Sequence, residues 1–133
     1  MNPLYPFVAE RAERRCEYCR APEEVFNFAF EVEHLLPQSR GGSNEHNNLA
    51  LSCHACNRYK SDLVSGFDEE TQQETPLFNP RQQNWSEHFR VDPEVAQIVG
   101  LSSVGRVTVA KLQMNRPHQV NARRHWIQVF LFP

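Results

Sequence analysis

The chain has 133 residues, of which 40% are hydrophobic and 23% are charged, and its formal net charge is −2. This length suits one domain with one core, and the composition excludes a disordered, collagen-like or low-complexity chain. The small net charge argues against a coat protein that covers nucleic acid through bulk positive charge. The charges are unevenly placed, however. Residues 95–133 contain five basic and no acidic residues, which leaves a net charge of −7 in residues 1–94.

Neither end of the sequence predicts a membrane or secretory segment. The longest apolar stretch near a terminus, residues 126–133, is far shorter than the roughly 18 residues needed to cross a bilayer. The first seven residues lack a basic segment followed by a continuous apolar one. We therefore expect a cytoplasmic protein that does not contact a membrane, in which the four cysteines bind a metal and do not form disulfides.

The first half of the chain predicts a helix, two strands and a second helix. Residues 7–15 are rich in Ala, Glu and Arg and favour a short helix. Apolar and polar residues alternate along 25–32, which is typical of a strand. A polar loop, 38–47, separates it from a second short strand expected at 49–51. A helix without proline is expected over about 53–62.

The second half predicts an acidic connector and then a mixed C-terminal extension. Residues 65–75 carry four acidic residues among glutamines and are interpreted as a solvated connector. Arg116, Arg123 and Arg124 are interpreted as a solvated helix face or as DNA-backbone contacts. The other expected elements are an extended piece at 77–79, a hairpin of 85–91 with 95–101, a helix from Ser102 or Ser103 to 114, and a helix over about 117–130.

The cysteines form two Cys-x-x-Cys pairs, Cys16 with Cys19 and Cys53 with Cys56, separated by 33 residues. Each spacing lets both sulfurs of a pair turn towards one point, and two pairs complete a tetrahedral zinc site. Four thiolates leave no position for water, so the zinc is expected to be structural. The alternatives are four unrelated buried cysteines, a redox disulfide, or His54 in place of one cysteine.

The stretch between and after the cysteine pairs carries a second pattern: Glu31-Val32-Glu33-His34-Leu35-Leu36-Pro37, then Gly41-Gly42, Asn47-Asn48-Leu49, and Cys53-x-x-Cys56-Asn57-x-x-Lys60. This pattern resembles the HNH endonuclease family, in particular its four-cysteine bacterial members. The resemblance implies an α+β fold with a ββα-metal (HNH or His-Me finger) core, joined by the structural zinc. We expect a single HNH domain over 1–133, with the core at 16–62, the connector at about 65–75, and an extension at 76–133 that contains a β-hairpin and helices.

The chemistry of phosphodiester hydrolysis suits the residues of this pattern. The reaction needs a base for the attacking water and positive charge near the phosphate. A histidine is largely neutral at cellular pH, so His34 suits the base. The resemblance implies that Glu33 and Asn57 hold one Mg²⁺ or Mn²⁺ ion through oxygen atoms. Asn48 is expected to fix the His34 ring, and Lys60, on the same helix face as Asn57, to reach a phosphate.

Several alternatives stay open in the sequence. Neighbouring strand residues point to opposite faces, so Glu33 and His34 can share an ion only if the strand ends or bends there. Glu31, in phase with Glu33, is a further candidate ligand. The family's third motif residue is Asn57 here in place of His. A non-catalytic zinc module that binds nucleic acid or protein is the alternative function. The expected partner is DNA. A homodimer would allow double-strand breaks, and the acidic net charge is interpreted as a sign of a partner subunit or of low-affinity action.

Overall fold

The computed structural model describes residues 1–133 and mixes helices with short antiparallel sheets (α+β). Three two-stranded sheets follow one another along the chain, and each pairs neighbouring strands. The helices are α1 (Tyr5–Arg11), α2 (His54–Lys60), α3 (Trp85–His88), α4 (Ser103–Lys111) and α5 (Pro117–Gln128); the strands are β1 (Glu31–His34), β2 (Leu49–Ser52), β3 (Ser65–Asp68), β4 (Gln73–Pro76), β5 (Phe89–Asp92) and β6 (Gln97–Gly100).

The first sheet and α2 form the frame that positions the candidate site. Strand β1 pairs antiparallel with β2, and His34, the last residue of β1, lies opposite Leu49. Strand β2 is buried throughout, and Cys53 follows it directly as the N-cap of α2. Helix α1 is fastened to this sheet by Arg11, whose guanidinium donates to the carbonyls of His46 and Leu49 at 2.8 and 2.6 Å.

The predicted strand at 25–32 is wrong over most of its length. The chain instead makes one 3-10 turn at Glu23–Val25, and the only strand is β1, which begins at Glu31. A strand needs a partner, and β2 provides only four residues before Cys53 begins the helix cap. Phe26 and Phe30 pack edge to face with ring centroids 4.8 Å apart, so their alternation reflects aromatic packing and not strand pairing.

The predicted solvated connector at 65–75 is also wrong. Strands β3 and β4 form an antiparallel hairpin in this segment. Asp68 is buried, and both of its carboxylate oxygens accept hydrogen bonds from Arg106 of α4, at 3.1 and 3.0 Å. The pair holds the pKa of Asp68 well below its usual range, mainly through the Arg106 hydrogen bonds. Acidic residues here therefore attach the hairpin to the C-terminal extension.

The C-terminal extension contains β5, β6, α4 and α5. Strands β5 and β6 pair antiparallel, while Trp85–His88 forms one helical turn instead of the expected strand. The side chain of Ser102 caps α4 by accepting from Gly105 N at 3.0 Å. At Gly105 a Cβ atom would lie 2.0 Å from the His88 carbonyl, so only glycine lets α4 approach the end of α3 this closely. No helix is long and apolar enough to cross a membrane.

The three arginines interpreted as one basic face have three different environments. Arg123 is 1% exposed, and its guanidinium donates to main-chain carbonyls inside the protein. Arg116 lies over the Tyr59 ring at 4.5 Å and donates to its hydroxyl. Arg124 alone is exposed. The interpretation of a continuous solvated or DNA-binding face is therefore wrong for Arg123.

Candidate functional site

The four cysteines form one buried cluster. Their sulfur atoms all lie within 4.8 Å of one another, and none is in a disulfide. Sγ of Cys19 lies 3.7 Å from Sγ of Cys53, so the contact joins the two Cys-x-x-Cys pairs. Each pair has the same local geometry, because the amide of its second cysteine faces the sulfur of the first, at 3.5 Å for Cys19 and 3.4 Å for Cys56.

This donor set fits a zinc ion. Contact with Cys16 raises the pKa of the Cys53 thiol, because a second thiolate beside the first is unfavourable in a buried cluster. A divalent cation removes that conflict, since it binds thiolates and compensates their charge. Four sulfurs complete a tetrahedral shell, so a zinc ion here would link the first cysteine pair to the start of α2 and would leave no position for substrate.

The main chain fixes the first cysteine pair against the first sheet. The Glu17 amide donates to the Leu51 carbonyl at 2.9 Å, and the Leu51 amide donates back to the Glu17 carboxylate at 2.9 Å. The other oxygen of this carboxylate is ion-paired with Arg81 of the extension. The buried Glu17 therefore connects the cysteine pair, β2 and the C-terminal half.

His34 stands at the end of β1 with its side chain partly exposed. Its Nε2 lies 2.7 Å from Oδ1 of Asn44 in the polar loop. That same oxygen accepts a hydrogen bond from Gln38 Nε2 at 3.3 Å, so it is the acceptor side of the Asn44 amide that faces the ring. Nε2 is therefore the donor in this contact, and Nδ1 has no hydrogen-bond partner within the chain.

Asn48 holds the loop beside His34 through its amide group. Its Oδ1 accepts from the Leu36 amide at 2.8 Å, and its Nδ2 donates to the carbonyls of Leu36 and Ser43 at 3.1 and 2.8 Å. The loop is close-packed here, since a Cβ on Gly42 would lie 1.7 Å from the Leu36 oxygen. Asn48 thus braces the backbone after His34, while the ring itself is held by Asn44, which sequence reasoning missed.

Glu33 and Lys60 form a buried ion pair. Nζ of Lys60 lies 2.6 Å from Glu33 Oε1 and also donates to the carbonyls of His34 and Leu35 at 3.3 and 3.2 Å. The other Glu33 oxygen accepts from the Tyr18 hydroxyl at 2.7 Å. Burial raises the pKa of Glu33 above its ordinary value, and Lys60 opposes that shift. The ammonium was expected to reach a phosphate. It is instead surrounded by three oxygen atoms, those of the Glu33 carboxylate and of the His34 and Leu35 carbonyls, so Lys60 faces the interior.

Asn57 pairs with the other carboxylate of β1. Its Nδ2 donates to Glu31 Oε2 at 2.8 Å, and His54 Nδ1 lies 3.5 Å from Glu31 Oε1. Glu33 and Asn57 therefore have separate partners, and both Glu33 oxygens are engaged. As the structure stands, these two side chains do not form a ready ligand set for a divalent ion. Regular alternation along β1 also persists to its end, with Glu33 inside and His34 outside.

The structure thus defines a class, an α+β domain whose buried cysteine cluster can hold zinc beside a two-stranded sheet. Residues 16–63 match the family model described as HNH endonuclease. This confirms the resemblance predicted from the sequence pattern. Comparisons with curated proteins and with solved structures gave no match.

Proposed function

We propose that this protein is an HNH endonuclease that hydrolyses DNA phosphodiester bonds, with His34 as the general base. The observation that carries the proposal is the placement of His34 inside the family match, at the open end of β1, with Nδ1 free. A base in this position can take the proton of a water molecule that attacks a phosphate lying across the strand end. The family match supports nucleic acid as the substrate class, and the choice of DNA belongs to the proposal.

We assign the ββα-metal core that the resemblance implies to β1, β2 and α2, next to the cysteine cluster. A bound Mg²⁺ or Mn²⁺ would supply positive charge for the phosphate and the leaving oxygen. Glu33 and Asn57 are proposed from the resemblance as its ligands. Because Glu33 is held by Lys60 and Tyr18, this assignment requires the ion to displace the Lys60 ammonium.

Positive charge for a nucleic acid backbone is available on the exposed side of α2 and of the polar loop. Arg58, next to Asn57, is exposed, and so is Arg40, whose guanidinium donates to the Asp62 carbonyl at 2.7 Å. Two arginines on an acidic chain predict modest, salt-sensitive affinity. One active site cuts one strand, so a double-strand break would need a homodimer, a partner subunit or two nicks.

A second candidate function is a non-catalytic zinc module with the same fold. The closed Tyr18–Glu33–Lys60 network favours it, because this network already satisfies the carboxylate that a nuclease would use for its ion. The two functions differ in the residues that they require. The module needs the four cysteines but not His34, whereas the nuclease needs both.

Incubation of the zinc-loaded protein with supercoiled plasmid, with and without Mg²⁺ or Mn²⁺, tests the proposal. The nuclease predicts ion-dependent conversion to the nicked form. His34→Ala should lose this conversion, and His46→Ala is its matched control. His46 is an exposed histidine of the neighbouring turn that stacks on Phe7 and has no role in the proposal. Binding of DNA without any nicking under all ion conditions would favour the module.

A further inference from the structure

Arg123 in α5 is a buried cation without a carboxylate partner. Its side chain is 1% exposed. Nη1 donates to the Ala96 carbonyl at 2.8 Å and to Asn115 Oδ1 at 3.3 Å, and Nη2 donates to the Met114 carbonyl at 2.8 Å. These acceptors are neutral, and no salt bridge reaches the guanidinium. A buried charge normally needs an opposite charge nearby, so Arg123 requires an explanation.

The cysteine cluster provides a candidate for that charge. Arg123 lines the same cavity, of about 390 Å³, as Cys19 and Cys53. Its Nε is buried and has no hydrogen-bond partner within the chain. Burial lowers the pKa of Arg123 below its ordinary value, and the negative charges of Cys19, Cys56 and Cys53 oppose that shift. The shared cavity and the unpartnered Nε place the guanidinium on the side of the cysteine cluster.

A zinc ion with four thiolate ligands carries a formal charge of −2, because four negative sulfurs exceed the two positive charges of the ion. Such a buried dianion is costly without compensation. We infer that Arg123 is a positioning residue of the zinc centre. Its guanidinium supplies the counter-charge that lets all four buried cysteines bind as thiolates. The C-terminal extension would then contribute to zinc retention in the HNH domain although it lies outside the 16–63 match.

A purely structural role is the competing explanation. The guanidinium also joins the end of α4 to the loop before β6 through its hydrogen bonds, and this would matter without any zinc. The two explanations differ in what they predict for charge. A structural role depends on the planar fork and its hydrogen bonds, whereas a counter-charge role depends on the positive charge at that position.

The test is the zinc dissociation constant of the full chain, measured by competition with a chromophoric chelator, together with the rate of thiol alkylation. Arg123→Met removes the charge and Arg123→Lys keeps it. Arg124→Met is the matched control, because Arg124 is the exposed neighbour. Asn115→Ala removes a hydrogen-bond partner of Arg123 but leaves the guanidinium in place. We expect zinc affinity to fall roughly 10- to 100-fold in Arg123→Met, with faster alkylation, and to change little in the other three.

Equal loss of zinc affinity in Arg123→Met, Arg123→Lys and Asn115→Ala would overturn the inference and leave only the structural role. Unchanged affinity in Arg123→Met would overturn it as well. If Arg123→Met fails to fold, Arg123→Gln takes its place, since glutamine keeps an amide donor without the charge, and zinc binding as tight as in the unmodified protein would contradict the counter-charge. None of these measurements depends on nuclease activity.

Discussion

Nζ of Lys60 lies 2.6 Å from Oε1 of Glu33, and the two side chains are only 2% and 4% exposed. The pair joins the last residue of α2 to β1, and Tyr18 extends it to the first cysteine pair. The carboxylate that precedes His34 in sequence is therefore turned away from it and held inside the protein. The interior face of β1, which carries Glu33, therefore has a structural role. The outer face, which carries His34, is the face available for the proposed catalysis.

Removing only Lys60 from this ion pair should strongly lower the free energy of unfolding. Lys60→Met leaves the Glu33 carboxylate buried with only the Tyr18 hydroxyl, and losing one partner of a buried pair typically costs about 3–5 kcal/mol. The Glu33→Gln/Lys60→Met double variant removes both charges and should be less destabilised than Lys60→Met alone. Denaturant unfolding of the zinc-loaded proteins measures the free energy of unfolding of both variants. Equal stability of the single variant and the unmodified protein would show that the pair is not buried in solution.

The same variant should acquire a pH dependence. Burial raises the pKa of Glu33, and without Lys60 that shift is opposed only by the Tyr18 hydrogen bond and by His34. A carboxyl whose pKa is higher in the folded than in the unfolded state contributes stability below its unfolded pKa of about 4.3, and this contribution is lost as the pH rises through the folded pKa. The unfolding free energy of Lys60→Met should therefore fall as the pH rises above about 4.3.

The double variant is the control for that pH dependence, because it retains the cysteines but lacks the Glu33 carboxyl. Subtracting its pH profile removes the contribution of thiol protonation and zinc loss. A flat difference between the two profiles would contradict a raised Glu33 pKa in the single variant.

Sequence patterns predicted the cysteine cluster, β2 and α2, because these depend on local spacing. Each Cys-x-x-Cys turn is self-contained, and Cys53 caps the helix that follows. Contacts between residues that lie far apart in the sequence could not be predicted from local spacing. Nothing local marks Asp68 as the partner of Arg106, so an acidic hairpin was interpreted as a connector. The spacing of Asn57 and Lys60 predicted a shared helix face, but could not show that β1 covers it.

Zinc should be present at one ion per chain. Elemental analysis of protein purified without chelator measures this, and Cys53→Ser should lose the ion together with more stability than the about 1 kcal/mol typical of point substitutions. Asn57→Ala is the matched comparison on the same helix. It removes the Glu31 contact but no sulfur ligand, so its zinc content should be unchanged while any Mg²⁺ requirement for cleavage rises. Zinc loss in Asn57→Ala would contradict the proposal that the cysteine cluster and the Mg²⁺ site are separate.

Asn44 should matter for the rate of nicking and not for stability. It is exposed and its Oδ1 holds His34 Nε2, so Asn44→Ala frees the ring to rotate and to exchange tautomers. We expect slower nicking, by less than the loss from removing the histidine itself, with unchanged zinc content and thermal stability. Asn47→Ala, an exposed asparagine of the same loop, is the control. Equal rates for Asn44→Ala and the unmodified protein would show that the ring needs no such contact.

The central claim is that His34 is the base of a nuclease, and the initial rate of supercoiled plasmid nicking by His34→Ala tests it most directly. The variant is compared with the unmodified protein at equal zinc content and equal thermal stability, in Mg²⁺ and in Mn²⁺. Loss of a general base typically slows a reaction roughly 10²- to 10⁴-fold, and the account predicts a loss in this range. Nicking by the folded, zinc-loaded His34→Ala protein at the unmodified rate would contradict it.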